Sequence, residues 1–201
     1  KDDVDSVSNS FDGLKDKIKG ALAVAGISSG IGAVVGSINN ATQAVNQFQA
    51  KTGASAEEMK LYGEDIKYLY SQGMGKSIND VAEAMATVKN NTRFDGEEVM
   101  GITQNALLLR DTFDYDVGES IRVAQMLMDQ FSISGNDAYN LIVQGAQNGL
   151  DKNGDLLDTI NEYSVHFKSL GMDSEQMSNM LVNGVNNGTF SVDKLGDSIK
   201  E

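Results

Sequence analysis

A serine between two glycines lies near the start of the chain, in the spacing of a nucleophile elbow. Gly26-x-Ser28-x-Gly30 is the pattern that presents a catalytic serine in many hydrolases. That chemistry also needs a β-strand before the serine, a helix after it and a histidine base. The residues before Gly26 are not strand-forming, and the single histidine, His166, lies far along the chain in a predicted helix. We therefore do not expect a hydrolase site here.

Two further patterns resemble parts of known catalytic sites. Residues 75–77, GKS, look like the end of a P-loop, but that motif needs a glycine at position 70, which is Tyr70 here. Ser191 and Lys194 form a Ser-x-x-Lys pair, but Ser191 stands where a helix cap is expected. The sequence therefore predicts that the chain is not an enzyme and has no catalytic or cofactor-binding residues.

An acidic turn in the second half of the chain resembles a calcium loop. Asp151, Asn153, Asp155 and Glu162 occupy positions one, three, five and twelve of an EF-hand. Position six, which must be glycine for the loop to turn, is Leu156. Leu156 also begins a good helical pattern that the loop would destroy. We therefore expect no metal site and no cofactor.

The overall charge limits the partners that the chain can have. The formal net charge is −13, and the chain contains no cysteine and no proline. A protein that wraps nucleic-acid phosphates needs a positive surface, so sequence-specific nucleic-acid binding is not expected. Disulfides and thiol chemistry are excluded, and the absence of proline favours uninterrupted helices.

Serine and aspartate residues that could cap helices recur along the chain at regular intervals. Alternate candidate caps are separated by about 39 residues. The helices of one alternate set also begin with similar sequences, SAEEM, DGEEV, SGNDA and DSEQM. A side-chain oxygen at a helix start accepts hydrogen bonds from free backbone N–H groups, which explains the residue types. The candidate caps are Ser55, Ser77, Asp95, Asp116, Ser134, Asp155, Asp173 and Ser191.

Apolar residues follow each candidate cap at helical spacing, so each predicted helix has one face that can be buried. The first helix of the series is expected to bury Met59, Tyr62, Ile66, Leu69 and Tyr70. The helix after Asp155 is expected to bury Leu156, Leu157, Ile160, Ser164 and Phe167, and to end at Gly171.

These patterns predict an all-α fold with two parts. Residues 54–201 are expected to form consecutive short amphipathic helices in about four helix-hairpin repeats. Residues 1–53 are expected to form a long N-terminal helical segment that contains an apolar run, residues 21–38. Because the first residue is Lys1 and the last predicted helix continues to Glu201, we expect a segment of a longer protein.

The first part of the N-terminal segment has the heptad spacing of a coiled-coil seam. Two heptads are too short to hold a coiled coil alone, so an amphipathic helix packed on its own domain is an equal alternative. The seam residues are Val4, Val7, Phe11, Leu14 and Ile18.

The apolar run, residues 21–38, contains no charged residue and has the minimum length of a membrane-spanning helix. It carries two small-xxx-small patterns, which allow helices to approach closely. Three interpretations stay open: a close-packed or flexible buried segment, a segment that enters a membrane at one stage of function, and a permanent transmembrane helix. The residues expected to mediate self-association or membrane entry are Gly26, Gly30, Ile31, Gly32, Val35 and Gly36.

Two long segments resemble a known family. They are LLLRDTFDYDVGESIRVAQMLMDQFSIS, and then QGAQNGLDKNGDLLDTINEYSVHFKSLGM. Both are similar to the core region of phage tail tape measure proteins of the TP901 type. ATQAVNQFQAKTGASAEEMK, GKSINDVAEAMATVKNNT and NNGTFSVDKLGDSIKE extend the similarity over residues 41–201.

The resemblance implies a structural role in a virion tail. Such proteins are long and helical, occupy the lumen of the tail tube, and set tube length during assembly in the bacterial host cytoplasm. The implied partners are further copies of the chain, the tail tube protein, tail assembly chaperones and baseplate or tail-tip proteins. Hydrophobic segments are implied to help DNA cross the host membrane by transient contact. An infectious phage, a prophage and a tail-like bacteriocin all fit.

One other function fits the same features. A helical toxin or translocation module could insert the apolar run directly into a membrane. A receptor-binding domain on the same gene would favour that alternative, whereas fusion to a long helical rod would favour the tape measure.

Overall fold

The computed structural model of this chain describes residues 34–189 and 191–200, and side chains from residue 41 onward. This part of the chain contains nine α-helices and no strand, which confirms the all-α prediction. They are α1 (Val34–Thr52), α2 (Glu58–Ser71), α3 (Ile78–Asn91), α4 (Glu97–Phe113), α5 (Val117–Phe131), α6 (Gly135–Gln147), α7 (Leu156–Ser169), α8 (Ser174–Asn186) and α9 (Val192–Lys200).

Six of the eight predicted caps are made. Ser134 and Asp173 each form a reciprocal capping box with the residue three places on. Ser55 and Glu58 also exchange hydrogen bonds, of 3.3 and 2.7 Å, just ahead of α2. Single caps are made by Ser77, Asp116 and Ser191, whose side chains each accept from the backbone N–H three residues later.

The cap predicted at Asp155 is wrong. Its side chain makes no capping hydrogen bond, and its buried Oδ1 has no partner within the described part of the chain. Instead, Asp151 Oδ1 accepts a hydrogen bond of 2.9 Å from the backbone N–H of Leu156. Gly154 has a positive φ of 72°, and the turn that it allows brings the Asp151 carboxylate back to the helix start.

The cap predicted at Asp95 is also wrong, because α4 begins after Gly96 and has no side-chain cap. The Asp95 carboxylate accepts hydrogen bonds from the backbone N–H of Gly96 and from the side chains of Tyr62 on α2 and Lys89 on α3.

The described residues belong to two compact units, divided after Ile121 within α5. In the first unit, α1 packs on α2 and α3, and α4 also packs on α2 and α3. In the second unit, α6 packs on α7 and α8, and α9 packs on α7 and α8. Each unit therefore contains contacts between helices two places apart in the chain, as the stacking of hairpins requires.

The predicted apolar faces are largely buried. The face of α7 is buried at all five predicted positions, and Phe167 is fully enclosed. Tyr62, Ile66 and Leu69 of α2 are buried, Met59 is half-buried, and Tyr70 is 41% exposed. The prediction for Tyr70 is wrong because Leu69, one residue earlier, already completes the stripe. Tyr70 is turned about 100° away from that position on the helix.

Replacing the two acids of the 151–155 turn tests the corrected cap. Asp151→Ala should lower the free energy of unfolding by about 1 kcal/mol, because it removes the side chain that accepts from Leu156 N–H. Asp155→Ala should cost less than Asp151→Ala, because it removes a carboxylate that makes no cap and whose buried Oδ1 has no hydrogen-bond partner in the described part of the chain. Urea denaturation of the two matched variants measures both values, and a larger loss for Asp155→Ala would contradict this assignment.

Candidate functional site

Most residues predicted to mediate self-association or membrane entry cannot be placed. The seam residues and Gly26, Gly30, Ile31 and Gly32 lie outside the described residues. Val35 and Gly36 lie in the first turn of α1. These assignments therefore remain predictions. Among the described residues, no helix has the length and apolarity needed to cross a membrane.

The acidic turn does not bring a ligand set together. Within residues 34–189 and 191–200, no group of three or more histidine, aspartate or glutamate side chains is arranged to hold a metal ion. The helix predicted to begin at Leu156 is present and runs to Ser169. Its regular turns extend through Glu162, the position that an EF-hand would use as its last ligand.

The structure instead shows a polar cluster between hairpins, here named the first clamp: Tyr62 of α2, Lys89 of α3 and Asp95 before α4. The Tyr62 hydroxyl donates a short hydrogen bond to Asp95 Oδ1. Lys89 Nζ donates to the same oxygen at 2.9 Å and lies 5.5 Å from the centre of the Tyr62 ring. One carboxylate therefore links three consecutive helices.

Electrostatics in the first clamp favour the ionised carboxylate. The hydrogen bond from Lys89 lowers the pKa of Asp95 to about 2, and Tyr62 and the Gly96 N–H act in the same direction. The hydrogen bond to Asp95 raises the pKa of Lys89. Burial, and then the hydrogen bond to Asp95, raise the pKa of Tyr62, so its hydroxyl stays a donor.

A second clamp in the other unit has the same chemistry and consists of Tyr163 of α7 with Asp193 and Asp197 of α9. The Tyr163 hydroxyl lies 2.5 Å from Asp197 Oδ1 and 3.4 Å from Asp193 Oδ1. The hydrogen bond to Asp197 raises the pKa of Tyr163, and the hydrogen bond from Tyr163 lowers that of Asp197. The Tyr163 ring rests against Gly196, where an added Cβ would lie only 2.1 Å from a ring carbon.

The two clamps connect chain positions at nearly the same separation. Tyr62 and Asp95 are 33 residues apart, and Tyr163 and Asp197 are 34 apart. In each, a buried tyrosine ring belongs to the apolar core while its hydroxyl reaches the edge of the core. The apolar stripe of α2 predicted that Tyr62 is buried but did not indicate its polar partner. The similar spacing between tyrosine and aspartate in the two clamps is the sequence signal that could have identified that partner.

A third polar contact joins α3 and α4. Arg110 Nη1 donates to Asp80 Oδ1 at 2.8 Å, while the backbone N–H of Lys76 donates to Asp80 Oδ2 at 2.7 Å. Burial raises the pKa of Asp80, but the hydrogen bond from Arg110 and the Lys76 N–H outweigh it and lower the pKa overall. Asp80 therefore fixes the turn before α3 and the packing of α4 together.

The fold and these clusters define a class of protein: over the described residues it is an all-helical protein in which polar clusters hold neighbouring helices together. The chain belongs to the family of phage-related minor tail proteins, because the profile of that family matches residues 69–201. The match runs from the last turn of α2 through α9. It includes the second clamp, whereas Tyr62 of the first clamp lies outside it.

A curated relative gives a more particular similarity. The chain is 34% identical over 115 residues to a "Probable tape measure protein" of Streptomyces phage phiC31. The matched region is 56% of this chain and 13% of the phage protein, so the chain spans a small part of that relative. No solved structure matches the chain.

Acid titration tests the first clamp. The pKa of Asp95 falls from an ordinary value of 3.8 to about 2 in the folded chain, so its contribution to stability is present above about pH 4. The contribution is lost as the pH falls from about 4 to about 2, because the unfolded chain then binds a proton that the folded chain does not. In Asp95→Asn, the free energy of unfolding should therefore fall less between about pH 4 and about pH 2 than it does in the wild type.

The control for Asp95→Asn is Glu98→Gln, which removes one negative charge from the same unit at an exposed position outside the clamp. Chemical denaturation at several pH values measures both variants. An equally reduced fall in both variants would show that net charge, rather than the clamp, causes the acid dependence.

Proposed function

We propose that this chain is part of a tape measure protein of the TP901 type, and that it sets the length of a phage tail tube or of a tail-like particle. The 34% sequence identity to the "Probable tape measure protein" of Streptomyces phage phiC31 is the observation that supports this function most directly. Membership of the minor tail protein family supports the location in a tail. In this proposal the protein occupies the tube lumen after assembly in the host cytoplasm and carries out no reaction.

The proposed partners follow from that location. The tail tube protein and the assembly chaperones would surround the chain as the tube grows, and baseplate or tail-tip proteins would hold one end. The net charge of −13 supports residence beside DNA without adhesion to it, since like charges repel.

We also assign two roles to the N-terminal segment. The seam from Val4 to Ile18 and the glycine pairs of residues 21–38 would hold several copies together in the tube. After release from the tube, the same uncharged run would enter the host membrane and help DNA to pass. Both roles rest on the sequence pattern.

Removing one repeat tests the length-setting role. Deleting residues 134–172, from one cap to the equivalent cap, should shorten the tails, and duplicating the same residues should lengthen them equally. A repeat of about 39 residues contributes about 58 Å as a continuous helix but only about 10 Å as a layer of stacked helices. Electron microscopy of the tails measures the change and also tells which conformation the tube contains.

The duplication is the control for damage to the fold, because a damaged protein would give fewer tails rather than longer ones. Tails of unchanged length in both variants would contradict the proposed function.

Charged substitutions in the apolar run test membrane entry separately. The freed protein should release dye from liposomes, and Ile31→Lys with Val35→Asp should abolish the release. Each charge costs roughly 2.5 to 3.5 kcal/mol at the centre of a bilayer. The control, Asn39→Lys with Asn40→Asp, places the same charges just beyond the run and should leave the release unchanged. Equal release by all three proteins would contradict membrane entry but not length setting.

A further inference from the structure

Asparagine followed directly by glycine occurs four times in the second half of the chain. Asparagine is a thermolabile residue, and a following glycine makes it more reactive, because no side chain hinders the glycine nitrogen. All four pairs belong to the described part of the chain, so one reactive dipeptide can be compared in four settings. The pairs are Asn148-Gly149, Asn153-Gly154, Asn183-Gly184 and Asn187-Gly188.

The reaction open to each pair is an intramolecular loss of ammonia. The glycine backbone nitrogen attacks Cγ of the asparagine, a C–N bond forms, and the bond from Cγ to Nδ2 breaks. The amide nitrogen leaves as ammonia with the proton that the glycine N–H gives up. Water then opens the five-membered succinimide, either at Cγ to give aspartate or at the main-chain carbonyl carbon to give isoaspartate. Water is the only reagent, and no electrons are exchanged with another molecule.

Helix α8 restrains one of the four pairs. Asn183 and Gly184 lie inside this helix, and a Cβ added at Gly184 would clash with the Leu195 side chain of α9. The nitrogen of Gly184 can approach the Asn183 side chain only if the helix unwinds there.

Two further pairs lie at helix ends, where each asparagine is held by two hydrogen bonds. The backbone N–H and the side-chain amide of Asn148 both donate to the carbonyl oxygen of Gln144, at 3.0 and 2.8 Å. Asn187 donates to the carbonyl oxygen of Asn183 in the same way, at 3.0 and 2.7 Å. Turning either side chain toward its glycine breaks the amide hydrogen bond and disturbs the helix end.

Asn153 differs from the other three because it belongs to the turn between α6 and α7. Asn153 and Gly154 are both exposed. Gly154 has a φ of 72°, and its N–H donates to the carbonyl oxygen of Asp151 at 3.1 Å, a bond within a single turn. No helix has to open for these two residues to change conformation, so their motion costs less free energy than opening a helix end.

We propose that Asn153 is a site of spontaneous deamidation in the folded protein, and that the fold selects it from the four pairs. The product carries one more negative charge, in a turn that already contains Asp151 and Asp155. Isoaspartate also adds one carbon to the main chain between Asp151 and Leu156, the residues joined by the 2.9 Å cap bond. Deamidation therefore weakens the start of α7. This modification is independent of the proposed role in a tail.

Peptide mapping of the full chain tests the selection. The folded protein is aged in mildly alkaline buffer, digested with trypsin and analysed by mass spectrometry. Trypsin cleaves after Lys152, so Asn148 and Asn153 fall in different peptides, and fragmentation separates Asn183 from Asn187. Asn153 should be deamidated about tenfold faster than Asn183, and also faster than the two asparagines at helix ends, because helix opening slows the others.

The same chain unfolded in urea is the control for sequence effects. Without the helices every pair is an unrestrained Asn-Gly dipeptide, so the four rates should become similar. Equal rates at the four sites in the folded chain would overturn the proposal. A faster rate at Asn148 or Asn187 than at Asn153 would also overturn it.

The melting temperature tests the consequence for α7. Full deamidation of Asn153 should lower Tm by about 2 to 4 °C, the shift expected for the loss of one helix cap in a chain of this length. Asn153→Gln should show no such loss on ageing, since glutamine would have to close a larger ring. Asp151→Ala should lose nothing further on ageing, because its cap is already absent. A loss of the same size in aged Asn153→Gln would contradict the effect assigned to Asn153.

Discussion

The fold of this chain depends on one constraint that applies to every hairpin. The contact between its two short helices is too small to bury the apolar stripes of both. Within the first unit, α2 therefore packs on α4 as well as on α3, and within the second, α7 packs on α9. Burial of side chains such as Ile66, Met85 and Phe167 supplies the main favourable free energy, and it is available only when neighbouring hairpins stack. Cap bonds and polar clusters refine an arrangement that the apolar stripes require.

The two clamps show how polar groups can fix the register between helices that apolar burial brings together. Apolar contacts between helices tolerate sliding, whereas the hydrogen bond from a tyrosine hydroxyl to a carboxylate holds at one register. Tyr62 and Tyr163 each combine both functions, with the ring in the core and the hydroxyl at its edge. The pairing lowers the pKa of both Asp95 and Asp197, so both carboxylates stay ionised at neutral pH and the register does not change there.

Local signals made much of this fold predictable. Serine or aspartate before a periodic apolar segment identified six caps, because capping depends on residues only three apart in the sequence. The signals failed where a side chain had a better partner elsewhere. Asp95 accepts hydrogen bonds from Tyr62 and Lys89 instead of capping α4. At the start of α7, the turn at Gly154 places Asp151, rather than Asp155, where it accepts from the first helical N–H.

The joints between helices have a mechanical consequence. Each of the eight joints in the described chain holds at least one residue at positive φ, and at all but two of them that residue is glycine. Glycine occupies left- and right-handed conformations about equally, so rotation at a single residue can align two successive helices. The exceptions are Asp114 and Ser132, at φ of 62° and 56°, where straightening would also relieve steric strain. With no proline to interrupt a helix, tension along the chain would straighten it first at the two ends of α5.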